Sequence, residues 1–101
     1  MMRLDPRFRP YVEELLHIAR RYRLQPRVTS SYRSIATQRR LYRAYLEGRH
    51  PLPVAPPGRS AHNYGLAVDF VSRDNAGLGH LWRSWGGVWG GDSDPVHYGV
   101  W

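Results

Sequence analysis

The chain has no cysteine among its 101 residues. That excludes disulfides and thiolate metal sites, and it leaves histidine and the carboxylates as the side chains suited to a transition metal. Lysine is absent too: all fifteen basic residues are arginine, against eight acids, for a formal charge of +7. Such a balance calls for an anionic partner or a basic, solvated face. Nucleic acid and bacterial cell wall both fit, but no standard DNA or RNA module is legible, so nucleic acid is not expected. No run reaches the roughly 20 apolar residues of a membrane span. The start, Met1-Met2-Arg3-Leu4-Asp5, lacks the apolar stretch of a signal peptide, which predicts a protein made in the cytoplasm. Internal repeats and low-complexity tracts are missing as well.

What is present suffices for a fold. Hydrophobic residues make up 42% and aromatics 13%, ample for a core and contrary to disorder. The expectation is one domain, 1–101, in a monomer, near the size at which a bound metal helps hold a small core together.

Chemistry concentrates in Ser60-Ala61-His62-Asn63-Tyr64-Gly65-Leu66-Ala67-Val68-Asp69. Leu66, Val68 and Phe70 alternate onto one face of a strand and leave Ala67, Asp69 and Val71 on the other. A carboxylate among apolar neighbours costs several kcal/mol to desolvate unless a cation or donors meet it. His62 and Asp69 could share a metal. Taken alone, the ten residues fit equally well a strand-end aspartate capping a loop beside a surface histidine. The tail Asp94-Pro95-Val96-His97-Tyr98-Gly99-Val100-Trp101 decides between them by bringing His97 on a second β-like run. His62, Asp69 and His97 then match the three protein ligands of a catalytic zinc, with a fourth position for water. Asp94, in a turn restricted by Pro95, could take that water's proton and return it to a leaving amine. This is a peptidase's set of groups.

The remaining segments supply a scaffold. Tyr11, Leu15, Ile18, Ala19 and Tyr22 recur at helical spacing over Pro10–Arg23, and Gln25-Pro26 ends the run. Arg27 to Tyr32 reads as a strand, with Arg33 at its end. Ser34 caps a second helix, Ile35 to Leu46, with Gln38, Leu41, Tyr42, Tyr45 and Leu46 on its inner side and Gly48 after it. Arg33 sits where a guanidinium can reach into a cleft, and Gln38, one turn into the helix on its inward side, is a candidate either to support the site or simply to pack or cap. A stiff proline-rich loop, 49–59, delivers Ser60, whose hydroxyl is placed to orient a ligand. Asp74 or Asn75 caps a third helix carrying Leu78, Leu81, Trp82 and Trp85. Trp82 and Trp85 are assigned to the core and Trp89 to the groove. The fold class expected is α+β: two N-terminal helices and a third short one on a small, mainly antiparallel sheet that carries the site.

Ser60-x-His62-x-x-Gly65-x-Ala67-x-Asp69, Asp94-x-x-His97 and the upstream Ser31-Tyr32-Arg33-Ser34 resemble the zinc D-alanyl-D-alanine carboxypeptidase and L-alanyl-D-glutamate endopeptidase family, whose fold hedgehog domains share. The resemblance runs from about Tyr11 to Trp101. It implies that His62, Asp69 and His97 bind Zn²⁺, that Asp94 is the catalytic base, and that Arg33 contacts the substrate or polarises its scissile carbonyl. Gln38, Ser60 and Trp89 complete the expected substrate-binding set. An aspartate at position 94 resembles the phage-endolysin branch, which cuts the L-alanyl-D-glutamate bond of peptidoglycan. A D-alanyl-D-alanine carboxypeptidase, a non-catalytic zinc-dependent wall-binding module and a basic nucleic-acid binder are the alternatives. Two departures stand out: a short interval from Asp69 to Asp94, and Gly99 where the family commonly has a polar residue.

Overall fold

The computed structural model describes residues 2–101. Its elements are α1 (Arg9–Arg21), β1 (Arg27–Ser30), α2 (Ile35–Leu46), β2 (Ala67–Val71), α3 (Asn75–Ser84), β3 (Val88–Gly90) and β4 (Asp94–Gly99). Short 3₁₀ turns, Ala61–Tyr64 and Gly91–Ser93, lead into β2 and β4. The strands form one antiparallel sheet in the order β1-β2-β4-β3, so β4 lies between β2 and β3. This is the expected α+β arrangement. No helix among the described residues is long and apolar enough to cross a membrane.

Local chemistry explains the helix ends. Pro10 stands in the first turn of α1, where its missing N–H is no loss, and Arg20 and Arg21 meet the negative end of the helix. Ser34 Oγ accepts the Thr37 N–H at 3.1 Å to start α2, and an Asp74 carboxylate oxygen accepts the Gly77 N–H at 2.8 Å to start α3.

α1 and α3 cover one face of the sheet. Val12, Leu15, Leu16 and Ala19 pack with Leu78 and Trp82 against Val68, Phe70 and Tyr98, all of them buried. Each large apolar side chain buried this way contributes about 1.5–3 kcal/mol. The Phe70 and Tyr98 rings stack with centroids 4.2 Å apart. The Tyr98 hydroxyl donates to the Asn75 carbonyl at 3.0 Å and accepts from the Asn75 side-chain amide at 2.9 Å. Burial pushes its pKa up to about 12.

Several details differ from expectation. The buried stripe of α1 is Val12-Leu15-Leu16-Ala19, whereas Tyr11 and Tyr22 are 59% and 73% exposed. Tyrosine has an apolar ring and a polar tip, so it mimics a core residue in a periodicity count while lying at the surface. On α2 only Gln38 is buried, with Leu46 65% exposed, and this helix makes no broad contact with the sheet. β1 stops at Ser30, short of the expected Tyr32: its register shifts between Val28 and Ser30, and the Tyr32 N–H goes to the Arg3 carbonyl at 3.0 Å. Trp85 is exposed rather than core. Val88–Gly90, for which no strand was expected from the sequence, is a strand.

Candidate metal centre and active site

Strand register assembles the site. Asp69 on β2 pairs with Ser30 on β1 and with His97 on β4, and alternation turns Asp69 and His97 away from the core side taken by Val68, Phe70 and Tyr98. His62 arrives on the 3₁₀ turn before β2. That turn opens with Ser60 Oγ accepting the His62 N–H at 3.2 Å and closes at Gly65, whose φ is 69°. A Cβ at Gly65 would lie 2.7 Å from the Asp5 backbone nitrogen, which donates to the Gly65 carbonyl at 2.9 Å. Glycine is therefore required on two counts, conformation and close approach.

One donor atom from each of His62, Asp69 and His97 lies within 4.8 Å of the other two. His62 Nε2 and His97 Nδ1 stand 3.0 and 3.5 Å from Asp69 Oδ1. On their far sides, His62 Nδ1 is 2.8 Å from the Ser31 carbonyl and His97 Nε2 is 3.1 Å from the Trp101 carbonyl. A carbonyl only accepts, so in neutral rings the far nitrogens carry the protons and the near ones present lone pairs. Two lone pairs then face a carboxylate oxygen, which repels unless a proton or a cation lies among them. Two imidazoles and a carboxylate are a donor set suited to zinc and leave a coordination position open. Gly99 belongs to this design: a Cβ there would sit 3.1 Å from His97 Nε2 and 2.9 Å from the Trp101 carbonyl oxygen, prising that contact apart.

Titration behaviour follows from the same geometry. Burial raises the Asp69 pKa, but its contacts with His62 and His97 outweigh burial and hold it well below the usual carboxylate range. Burial favours neutral His97; its bonds to Asp69 and Trp101, with the charges of Asp69 and Asp94, outweigh that and move its pKa up. Metal binding at these donor atoms competes with protons for the same lone pairs. Asp94 is half-buried at the same cleft, and burial and the Asp69 charge push its pKa up against the pull of His97, His62 and Arg33.

Arg33 is tied into this cluster. Its N–H donates to the His62 carbonyl at 2.9 Å and its carbonyl accepts the Asn63 side-chain amide at 2.8 Å. Its guanidinium donates to Gln38 Oε1 at 2.9 Å and Ser30 Oγ at 3.1 Å, and lies 3.7 Å from Asp69 Oδ2. Burial lowers its pKa, with Asp69 and Asp94 opposing, yet an arginine remains charged. Gln38, 1% exposed, passes the connection on by donating to the Ala55 carbonyl at 2.8 Å.

The structure therefore gathers His62, Asp69, His97, Asp94, Arg33, Gln38 and Ser60 around one cleft of about 400 Å³. Trp89, assigned to the groove by sequence, lies elsewhere. It is buried in the core, its ring covers Gly79, where a Cβ would overlap it, and its Nε1–H donates to the Pro95 carbonyl at 2.8 Å. Sequence reasoning missed Asn63, which stands next to His62 and braces Arg33. It also missed the Ser31 and Trp101 carbonyls, since backbone groups leave no residue-type signal.

Comparison with known proteins places the chain in a family and a fold. A family model described as VanY, D-alanyl-D-alanine carboxypeptidase, matches residues 1–87. The chain belongs to this family. Among solved structures similar to this VanY-family chain is the zinc(II) complex of the E175A mutant of VanY, a vancomycin resistance D,D-pentapeptidase from a VanB-type cassette. It has a TM-score of 0.74 and 26% identity over 99% of this chain and 74% of that one. VanYB in complex with D-alanine-D-alanine gives 0.68 and 25% over 97% and 71%. The LdcB LD-carboxypeptidase, at 19% identity and 0.69 over 95% and 58%, agrees in fold. No curated protein matches the chain. Family membership and the donor set carry the coarse reading, a zinc peptidase of the peptidoglycan-acting kind.

Proposed function

We propose that this VanY-family chain hydrolyses the D-alanyl-D-alanine end of peptidoglycan stem peptides, with His62, Asp69 and His97 as zinc ligands and Asp94 as general base. The observation that carries the reading is the convergence of two carbonyl-oriented imidazoles on Asp69, with a half-buried carboxylate and a braced arginine at the same cleft. Zinc, when bound, would lower the pKa of a water and polarise the scissile carbonyl. Asp94, its pKa raised chiefly by burial, is a stronger base than an ordinary surface aspartate. It takes a proton from the attacking water and gives it to the leaving amine nitrogen, so that one water is consumed and two products leave. Arg33 holds Asp69 in orientation and has N–H groups left for the carbonyl oxygen on which charge develops. Gln38 and Ser30 fix that guanidinium, and Ser60 fixes the backbone of His62. The D-alanyl-D-alanine substrate is supported by the matching family's description and by the relative seen with that dipeptide.

A second reading, cleavage of the L-alanyl-D-glutamate bond, is favoured by the aspartate three residues before His97, the feature that resembles the endolysin branch. The deciding experiment digests purified peptidoglycan with the protein, with and without chelator and zinc restoration, and identifies products by mass spectrometry. Released D-alanine supports the carboxypeptidase, and a freed D-glutamate amine supports the endopeptidase. Zinc uptake without cleavage of either bond would overturn both in favour of a wall-binding module.

A further inference from the structure

Two arginines line the cleft, and they are employed differently. The Arg33 guanidinium is engaged by Gln38, Ser30 and Asp69, and its side chain is only 16% exposed. Arg59 is exposed on the rim, and no ion pair or side-chain hydrogen bond among the described residues engages its guanidinium. A free surface arginine is ordinarily mobile, but the root of this one is fixed. The Arg59 N–H donates to the Pro56 carbonyl at 3.0 Å. The preceding Gly58 gives its N–H to Asn63 Oδ1 at 3.1 Å, and its carbonyl accepts the Tyr64 hydroxyl at 2.7 Å. The following Ser60 is buried and caps the turn that carries His62. Asn63 thus ties the backbones of Gly58 and Arg33 to one another, and Arg59 is anchored to the same turn as a proposed metal ligand.

We infer that Arg59 is a specificity-determining residue that receives the α-carboxylate of the D-residue on the leaving side of the scissile bond. This rests on the peptidase reading above and deepens it. Both candidate bonds share the feature: the last D-alanine ends in a free α-carboxylate, and a D-glutamate continued through its side chain keeps one. In each case the carboxylate is attached to the carbon that bears the scissile nitrogen. A guanidinium fork matches a carboxylate in geometry as well as charge, and a rigid root reduces the ordering cost of meeting it.

The test uses zinc-loaded full-length protein as wild type, Arg59→Gln and Arg59→Lys. The probes are two peptide pairs: an acyl-D-Ala-D-Ala and its C-terminal amide, and an L-Ala-D-Glu peptide continued through the side chain and its α-amide. Turnover and equilibrium binding are both read, with thermal melts to verify that the exposed substitution leaves folding intact. Wild type is expected to prefer the free carboxylate in whichever pair it cuts. Arg59→Gln should raise KM and Kd for it roughly tenfold, the scale of a charge-assisted hydrogen bond, leave kcat near wild type, and abolish the preference. Arg59→Lys should recover part of it, keeping charge without the fork. Wild type that treats acid and amide alike, or a preference that survives in Arg59→Gln, would overturn the assignment. The two readings fail separately: Arg59-dependent carboxylate binding without cleavage would keep this one and refute the peptidase, and cleavage indifferent to the carboxylate would do the reverse.

Discussion

On one face of the sheet Val68 and Tyr98 lie in an apolar layer under α1 and α3; on the other, Asp69 and His97, each adjacent in sequence to one of them, meet His62 and Arg33. The two faces come from alternate residues of the same strands and are held together by different physics. The core face depends on volume and contact, which other apolar side chains can partly replace. The site face depends on directed partners, and among the described residues no buried side-chain polar atom lacks one. Stability should therefore answer mainly to the first face and activity to the second.

The largest effect expected is on the site face. Asp94→Asn should lower turnover by about a hundredfold or more while zinc content and Tm hold, because only the proton acceptor is lost; full activity would move the base elsewhere. Next comes the metal. Chelator should lower the Tm of wild type but not of His62→Ala, and at free zinc of a thousand times Kd the difference amounts to about 4 kcal/mol. Equal melting of wild type with and without chelator would break the link between site and fold. On the core face, Leu15→Ala should cost about 2–5 kcal/mol in denaturant unfolding and spare kcat of the folded fraction, whereas Leu46→Ala on exposed α2 should stay within about 0.5 kcal/mol. Gln38→Leu sharpens the comparison, since this residue is as buried as the core yet serves the site. It should lose about 1–3 kcal/mol by leaving the Ala55 carbonyl and an Arg33 N–H unmet, and lower kcat as well. Tyr98 is the reverse case, a core ring with a titratable tip. Its folded pKa lies above the unfolded value near 10, so its contribution is complete below about pH 10 and is lost as pH rises towards 12. Alkaline melts should show that decline in wild type and a flatter one in Tyr98→Phe.

How much of this was legible in the sequence depended on what each feature is made of. His62, Asp69, Asp94 and His97 could be named because side chains of rare chemistry fall at fixed offsets, and the structure brings all four to one cleft. The bounds of α2 were readable from Ser34 and Gly48, since capping is local chemistry. Its inner face was not, because Leu41 to Leu46 carry the pattern of a packed helix while the fold gives them little to pack on. Trp89 went to the groove on residue type alone; only the close approach of Gly79, a contact between α3 and β3, shows that its ring fills the core. The carbonyls that orient His62 and His97 belong to Ser31 and Trp101, whose side chains say nothing of that duty.

The strand order carries a kinetic consequence. β4 is the latest strand in the chain, yet it occupies an interior place between β2 and β3 and brings His97 to a pair of donors already set on the preceding turn and strand. Closing the sheet and completing the metal site are then a single event, and one that depends on contacts between distant parts of the chain, which form slowly. Tight zinc capture during refolding should lag behind helix formation and coincide with the last gain of native structure, making the metal a clock for the end of folding.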